Sequence, residues 1–187
     1  LQVEGVHNLE NAMAAALLAR SRGVSAEAIR NGLADFPGLP HRLQKVRRRL
    51  GVEWYDDSKG TNPGATEKSL LGFPDRSVHL ILGGQSKGAD PAALSDVIKR
   101  KVKHVYFIGE AAGELEAALG RWADSDNVGT LEVAIELAAR RAEAGEIVLL
   151  SPACASFDQF ESFEDRGRCF QSLVNALNGE PRGEEAR

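Results

Sequence analysis

The run Val78-His79-Leu80-Ile81-Leu82-Gly83-Gly84-Gln85-Ser86-Lys87-Gly88 sets the reading of the chain. An apolar, partly β-branched segment that ends on two glycines and a polar loop reads as a strand buried on both faces. Similar runs lie at 52–55, 105–108 and 147–150. Helical patterns at 65–71, 91–99, 111–119 and 131–144 separate them, and a last one covers 160–177. Each intervening helix is long enough to be a crossover, so the expected fold is α/β, a doubly wound, mostly parallel sheet covered on both faces. In such sheets ligands sit beyond the carboxyl ends of the strands. Those ends carry Asp56-Asp57-Ser58-Lys59, Gly83-Gly84-Gln85-Ser86-Lys87 and Ser151-Pro152-Ala153-Cys154-Ala155-Ser156.

N-terminal to the sheet, residues 8–20 are rich in Ala and Leu at helical spacing, Gly23 is a stop, and Ser25 caps a second helix to about Leu33. This predicts a helical hairpin. Phe36-Pro37-Gly38-Leu39-Pro40 allows neither neighbour to continue and marks a boundary near Pro40. The chain opens on Leu1 inside a pattern already under way, so it is expected to begin within a longer polypeptide. Residues 179–187, with their Gly, Pro and Glu, read as a frayed tail.

A net charge of -4 and a pI near 5.6 exclude general attraction to nucleic acid or anionic lipid. The basic run from Lys45 to Arg49 reads as a solvated strand edge. Cys154 and Cys169 form neither a bridge framework nor a metal spacing, which suits a reducing compartment and predicts no metal site from Cys and His. No apolar run approaches the roughly 20 residues that span a bilayer, and no signal-peptide succession is present. His79 and His104, at strand starts, are expected on the surface.

The loop from Gly83 to Gly88 fails both nucleotide motifs: Ala89 and Asp90 follow where a Walker A loop needs Lys and Ser or Thr, and the glycine spacing is not that of a dinucleotide fingerprint. Lys87 remains, either a carboxylate partner on a glycine-flanked loop or a solvated lysine. Asp57, Ser58, Lys59, Thr61 and Asn62 offer a carboxylate, hydroxyls and a cation within one loop, or an ordinary helix cap. Ser156 reads as an anion seat or a cap. Cys154 has no His in its motif and reads as a small buried residue.

Taken in order, five segments resemble one family, the ATP-dependent Mur ligases. They are Gly5-Val6-His7-Asn8 with Asn11; Gly38-Leu39-Pro40-His41-Arg42; Asp57-Ser58-Lys59-Gly60-Thr61-Asn62; Gly83-Gly84 with Lys87; and the block from Ser151-Pro152-Ala153-Cys154-Ala155-Ser156-Phe157-Asp158-Gln159-Phe160 through Phe163-Glu164-Asp165-Arg166-Gly167. The His-Asn and His-Arg motifs mark the superfamily, and the last block resembles its D-glutamate-adding branch. Asp56, Gly60 and Gln44 depart from the usual pattern, which often has Asn, Ala and Glu there.

The resemblance implies that residues 1–39 end a central ATPase domain and that 40–178 form a Rossmann-like C-terminal amino-acid-binding domain. It implies a cytoplasmic enzyme using ATP and Mg2+ to join D-glutamate to UDP-N-acetylmuramoyl-L-alanine, with no nucleic acid or membrane partner. It places Lys87, Thr61 and Ser156 on the D-glutamate carboxylates, Phe157 and Phe163 beside them, and Lys59 near the transferring centre, with Lys59 and Lys87 as the catalytic pair. It gives the adenine to Asn8 and Asn11, the ribose region to His41 and Asp57, and the phosphates to Arg42. The metal ligands would lie upstream, and this chain alone would be inactive. Two other readings stay open, a non-catalytic module for an acidic metabolite or protein, and another amino-acid-adding ligase of the superfamily, including the folylpolyglutamate type.

Overall fold

Six strands in the order β1-β2-β6-β3-β4-β5 form one sheet: β1 (Gln44–Arg49), β2 (Val52–Asp56), β3 (Val78–Gly83), β4 (Val102–Ile108), β5 (Asp124–Gly129) and β6 (Ile147–Ala153). β1 and β2 make an antiparallel hairpin, and every other pairing is parallel. The computed structural model describes residues 6–178; Gly5 of the first motif and the tail at 179–187 lie outside the described residues.

Strand alternation sorts the core into two layers. Tyr55, Leu80, Leu82, Val105, Phe107 and Leu149 meet α3 (Pro63–Leu71), α4 (Ser95–Lys101) and α5 (Ala112–Leu119) through Leu70, Val97, Ile98, Leu115 and Leu119. Trp54, Ile81, Tyr106, Ile108, Val148 and Leu150 meet α6 (Leu131–Arg141) and α7 (Phe163–Ala176) through Leu131, Ile135, Ala138, Phe170 and Val174. This is the doubly wound arrangement expected. The segment 91–99, read as one helix, is a 3-10 turn over 91–94 that continues into α4.

The hairpin is α1 (Val6–Ser21) and α2 (Ala26–Asp35), with Ser25 Oγ accepting from Ala28 N at 3.2 Å. Among the described side chains of α1, Ala12 is buried, while Leu9, Met13, Leu17 and Leu18 are exposed.

Three readings need correction. β5 was not anticipated, because Asp124-Ser125-Asp126-Asn127 has no apolar alternation; its pairing with β4 makes it an edge strand. His79 is not a surface residue: β3 lies inside the sheet, and the 2% exposed ring finds Tyr106 Oη at 3.0 Å and Glu146 Oε2 at 3.0 Å. His104 is half-buried beside Asp126, at 2.7 Å. The basic run is more than a solvated edge, since Arg47 donates to Val174 O and Asn175 O, each at 3.1 Å, and Arg49 to Asn178 O at the end of α7. Guanidinium groups there satisfy carbonyls that the helix leaves open.

Candidate ligand-binding site

Because β2, β6 and β3 are adjacent, their carboxyl ends bring the three polar loops side by side. Close backbone approach holds them there. A Cβ on Gly83 would fall 2.0 Å from Ile108 O, and one on Gly84 2.2 Å from Ala155 O, so only glycine lets these chains meet. The approach permits an antiparallel bridge, Gln85 N to Ala155 O at 2.9 Å and Ala155 N to Gln85 O at 3.0 Å. That bridge sets the Ser86-Lys87 loop beside Ala153 and Cys154, with which it lines a common recess, and Lys87 Nζ donates to Thr61 Oγ1 at 3.2 Å.

Arg166 of α7 ties the loops after β2 and β6 together, a role with no sequence signal beyond its place in the long motif. It is 1% exposed and donates from Nε to Ser58 Oγ at 3.0 Å, from Nη2 to Ser58 O at 2.9 Å and Cys154 O at 3.2 Å, and from Nη1 to Ala155 O at 3.2 Å. Burial pulls the guanidinium down to about 10, still cationic at neutral pH. Near it, burial pushes the Cys154 thiol up to about 11, which leaves a poor nucleophile and fits the structural reading of that residue.

Asp57 is buried at the start of the loop after β2. Its Oδ2 accepts from Ser69 Oγ and Ser151 Oγ, each at 2.7 Å, and its Oδ1 from Leu43 N at 3.2 Å. Burial outweighs these bonds and raises the carboxyl to about 6. Gly60 has no room for the alanine that the resemblance led one to expect: a Cβ would lie 2.7 Å from both Asp57 Oδ2 and Ser151 Oγ.

Two cavities adjoin these loops. The larger, about 630 Å³, lies between the helical hairpin and the β2–α3 loop. Asn8, Asn11, Arg42, Asp57 and Lys59 all line it, so four of the five residues expected at a nucleotide converge here. Glu10, Phe36 and Lys68 also line it and were not anticipated; Lys68 and Ser69 stand three and four residues after Ala65 on α3, on the same side of the helix. His41 does not line the cavity. Its ring lies behind the wall against α7, with Nδ1 2.7 Å from Asp56 Oδ2.

The smaller recess, about 40 Å³, is bounded by Thr61, Ser86, Lys87, Leu94, Leu115 and Cys154. Ser156, expected on the same anion, is buried and lines neither cavity; its carbonyl accepts from Phe160 N at 2.8 Å. Phe157 is 68% exposed, whereas Phe163 holds the Lys59 ammonium over its ring, 4.0 Å from the centroid. One edge of the site therefore offers a cation and a hydroxyl to a small anion, and the other a roomy cavity with Arg42, Lys59 and Lys68 on its wall.

Residues 41–154 match the family described as Mur ligase, glutamate ligase domain. Proteins named UDP-N-acetylmuramoylalanine–D-glutamate ligase from Geotalea uraniireducens and Myxococcus xanthus are 45% and 50% identical over 177 and 175 residues. These alignments cover 95% and 94% of this chain but 39% and 38% of the relatives, so the chain spans about two fifths of their length. The crystal structure of a UDP-N-acetylmuramate-alanine ligase from Thermotoga maritima superposes with a TM-score of 0.69 at 16% identity, over 93% of this chain and 39% of that one, and supports the fold.

Proposed function

The chain belongs to the Mur ligase family through its glutamate ligase domain, and we propose that it is the part of a D-glutamate-adding ligase that holds the amino acid and completes the ATP site. The observation that carries this reading is the meeting of Lys87 and Thr61 across two strand-end loops, next to a recess that both line and near a cavity that Asn8, Asn11, Arg42 and Asp57 line. The two relatives at 45% and 50% identity support the choice of amino acid.

In this reading residues 1–39 belong with the ATPase part and 40–178 form the amino-acid-binding domain. ATP phosphorylates the alanyl carboxylate of UDP-N-acetylmuramoyl-L-alanine, the D-glutamate amine attacks the acyl phosphate, and ADP and phosphate leave. Lys87, Thr61 and Ser156 hold the glutamate carboxylates, Phe157 and Phe163 flank them, and Lys59 meets charge developing on the transferred phosphoryl group. Arg42 faces the phosphates, Asp57 the ribose, and Asn8 and Asn11 the adenine. The wall cations suit an anionic nucleotide. Mg2+ would neutralise charge on the phosphates; among the described residues no group of three or more His, Cys, Asp or Glu is placed to hold a metal ion. The chain alone is expected to release no phosphate from ATP when all substrates are present.

Titration of isotope-labelled chain with D-glutamate and, separately, L-glutamate tests the amino-acid site. Amide shifts clustered at Thr61, Lys87 and Ser156, larger for the D isomer and lost in Lys87→Ala, are expected. Equal responses to both isomers, or shifts elsewhere, would overturn the assignment.

A further inference from the structure

His41 holds a backbone φ of 60°. That region costs a side chain other than glycine about 1 kcal/mol or more, so the surroundings must impose it. They do so from several sides. The carbonyl of His41 accepts from Lys59 N at 3.0 Å, and its N donates to Gln44 Oε1 at 3.1 Å. Its ring Nδ1 faces Asp56 Oδ2 at 2.7 Å.

One stripe of α7 closes over the ring. Phe163 stands edge-on to it, with centroids 6.3 Å apart. Gly167, four residues on, leaves it room: a Cβ there would sit 2.1 Å from Nδ1. Gln171, four further, donates to Asp56 Oδ2 at 2.7 Å and to Gln44 Oε1 at 3.1 Å. Asp56 is fully buried and its other oxygen accepts from Ser58 N at 2.9 Å. A carboxylate accepts and does not donate, so the ring nitrogen facing it must carry the proton.

We propose that His41 is a positioning residue, clamped with its proton on Nδ1 by a socket of Asp56, Gly167 and Gln171, and that the clamp aims the adjoining Arg42 and Lys59 into the cavity. The inference rests on the reading of that cavity as the nucleotide site. It takes His41 from the list of nucleotide contacts and makes it the pin on which two phosphate-facing cations hang. Arg42 follows it in the chain, and Lys59 is bonded to its carbonyl.

The test pairs long-range proton–nitrogen spectra of the His41 imidazole, at mildly alkaline pH, with the affinity of the chain for inorganic tripolyphosphate. The native ring is expected in its Nδ1–H form. In Asp56→Asn the side-chain oxygen stays on Ser58 N and the amide NH2 faces the ring. The proton should then move to Nε2, with affinity falling about tenfold as the cations lose their aim. Asp56→Asn/Gln171→Glu returns a carboxylate from the helix side, where Gln171 Nε2 already lies 3.4 Å from Nδ1. It should restore the Nδ1–H form and bring affinity back to within about twofold, which loss of packing alone would not. A native Nε2–H ring overturns the proposal. So does a variant whose ring proton moves without loss of affinity. If the native chain does not bind tripolyphosphate, the nucleotide reading fails instead. The socket is then judged by the upfield shift that the Phe163 ring imposes on the Lys59 side chain, expected in the native chain and lost in Asp56→Asn.

Discussion

Asp57 and His79 are both buried ionisable groups, and they pull stability in opposite directions with pH. Asp57 is raised from 3.8 to about 6, so folding favours its protonated form. Its contribution is full below 3.8 and is lost as pH rises through 6, at a cost of about 3 kcal/mol at neutrality if the whole shift is realised. Asp57→Asn is therefore expected to melt at a higher temperature than the native chain at pH 8 and to show no advantage near pH 4. Lower stability at pH 8 would mean that the ionised carboxylate is needed by Ser69 and Ser151. His79 is lowered from 6.5, mainly by burial and against the pull of Glu146. Its contribution is present above 6.5 and is lost as pH falls through the lower folded value. His79→Asn should flatten the loss of stability on the acid side of 6.5, measured by thermal unfolding at a series of pH values.

At the scale of elements, α7 organises the site although it supplies few of the groups that face a ligand. Its Arg166 fixes the loops after β2 and β6, its Phe163 holds Lys59, and its carboxyl end is capped by arginines of β1. Arg166→Lys keeps the charge but not the fork, and strands several buried acceptors. Destabilisation of about 3 kcal/mol or more is expected in denaturant titration, with Arg166→Met no better. A change below about 1 kcal/mol would show that water replaces the guanidinium. The motif 151–167 could be read as one unit in the sequence, but not why Arg166 belongs to it. Its four acceptors come from Ser58, Cys154 and Ala155, and only the fold brings these together.

At the scale of the whole molecule, the outer face of α1 presents apolar side chains to solvent. Leu9, Met13, Leu17 and Leu18 are 52%, 59%, 71% and 70% exposed, and the first three recur every four residues along one stripe of the helix. On the same helix Ala12 is buried and Ala16 half-buried, while Ala15 is exposed. Self-association at high concentration is expected by sedimentation, and Met13→Glu/Leu17→Glu should give a monomer. A native chain that is monomeric at millimolar concentration would remove the expectation.

The alternation of apolar strands with crossover helices was enough to fix the doubly wound class, because burying both faces of a parallel sheet demands continuous apolar runs that few other arrangements need. The strand-end motifs likewise placed Lys59, Thr61, Lys87 and Ser156 on one edge, since strand direction decides which loops share it. What local pattern does not carry was left to the tertiary structure. β5 exists because a neighbour offers it hydrogen bonds, not because its residues are apolar. His79 is buried because its strand is central. His41 turns from the cavity into a socket because Gly167, 126 positions away, leaves a space the size of its ring. Periodicity reports which face of an element is dry, but the partner of a buried polar group is chosen by whatever the fold places opposite it.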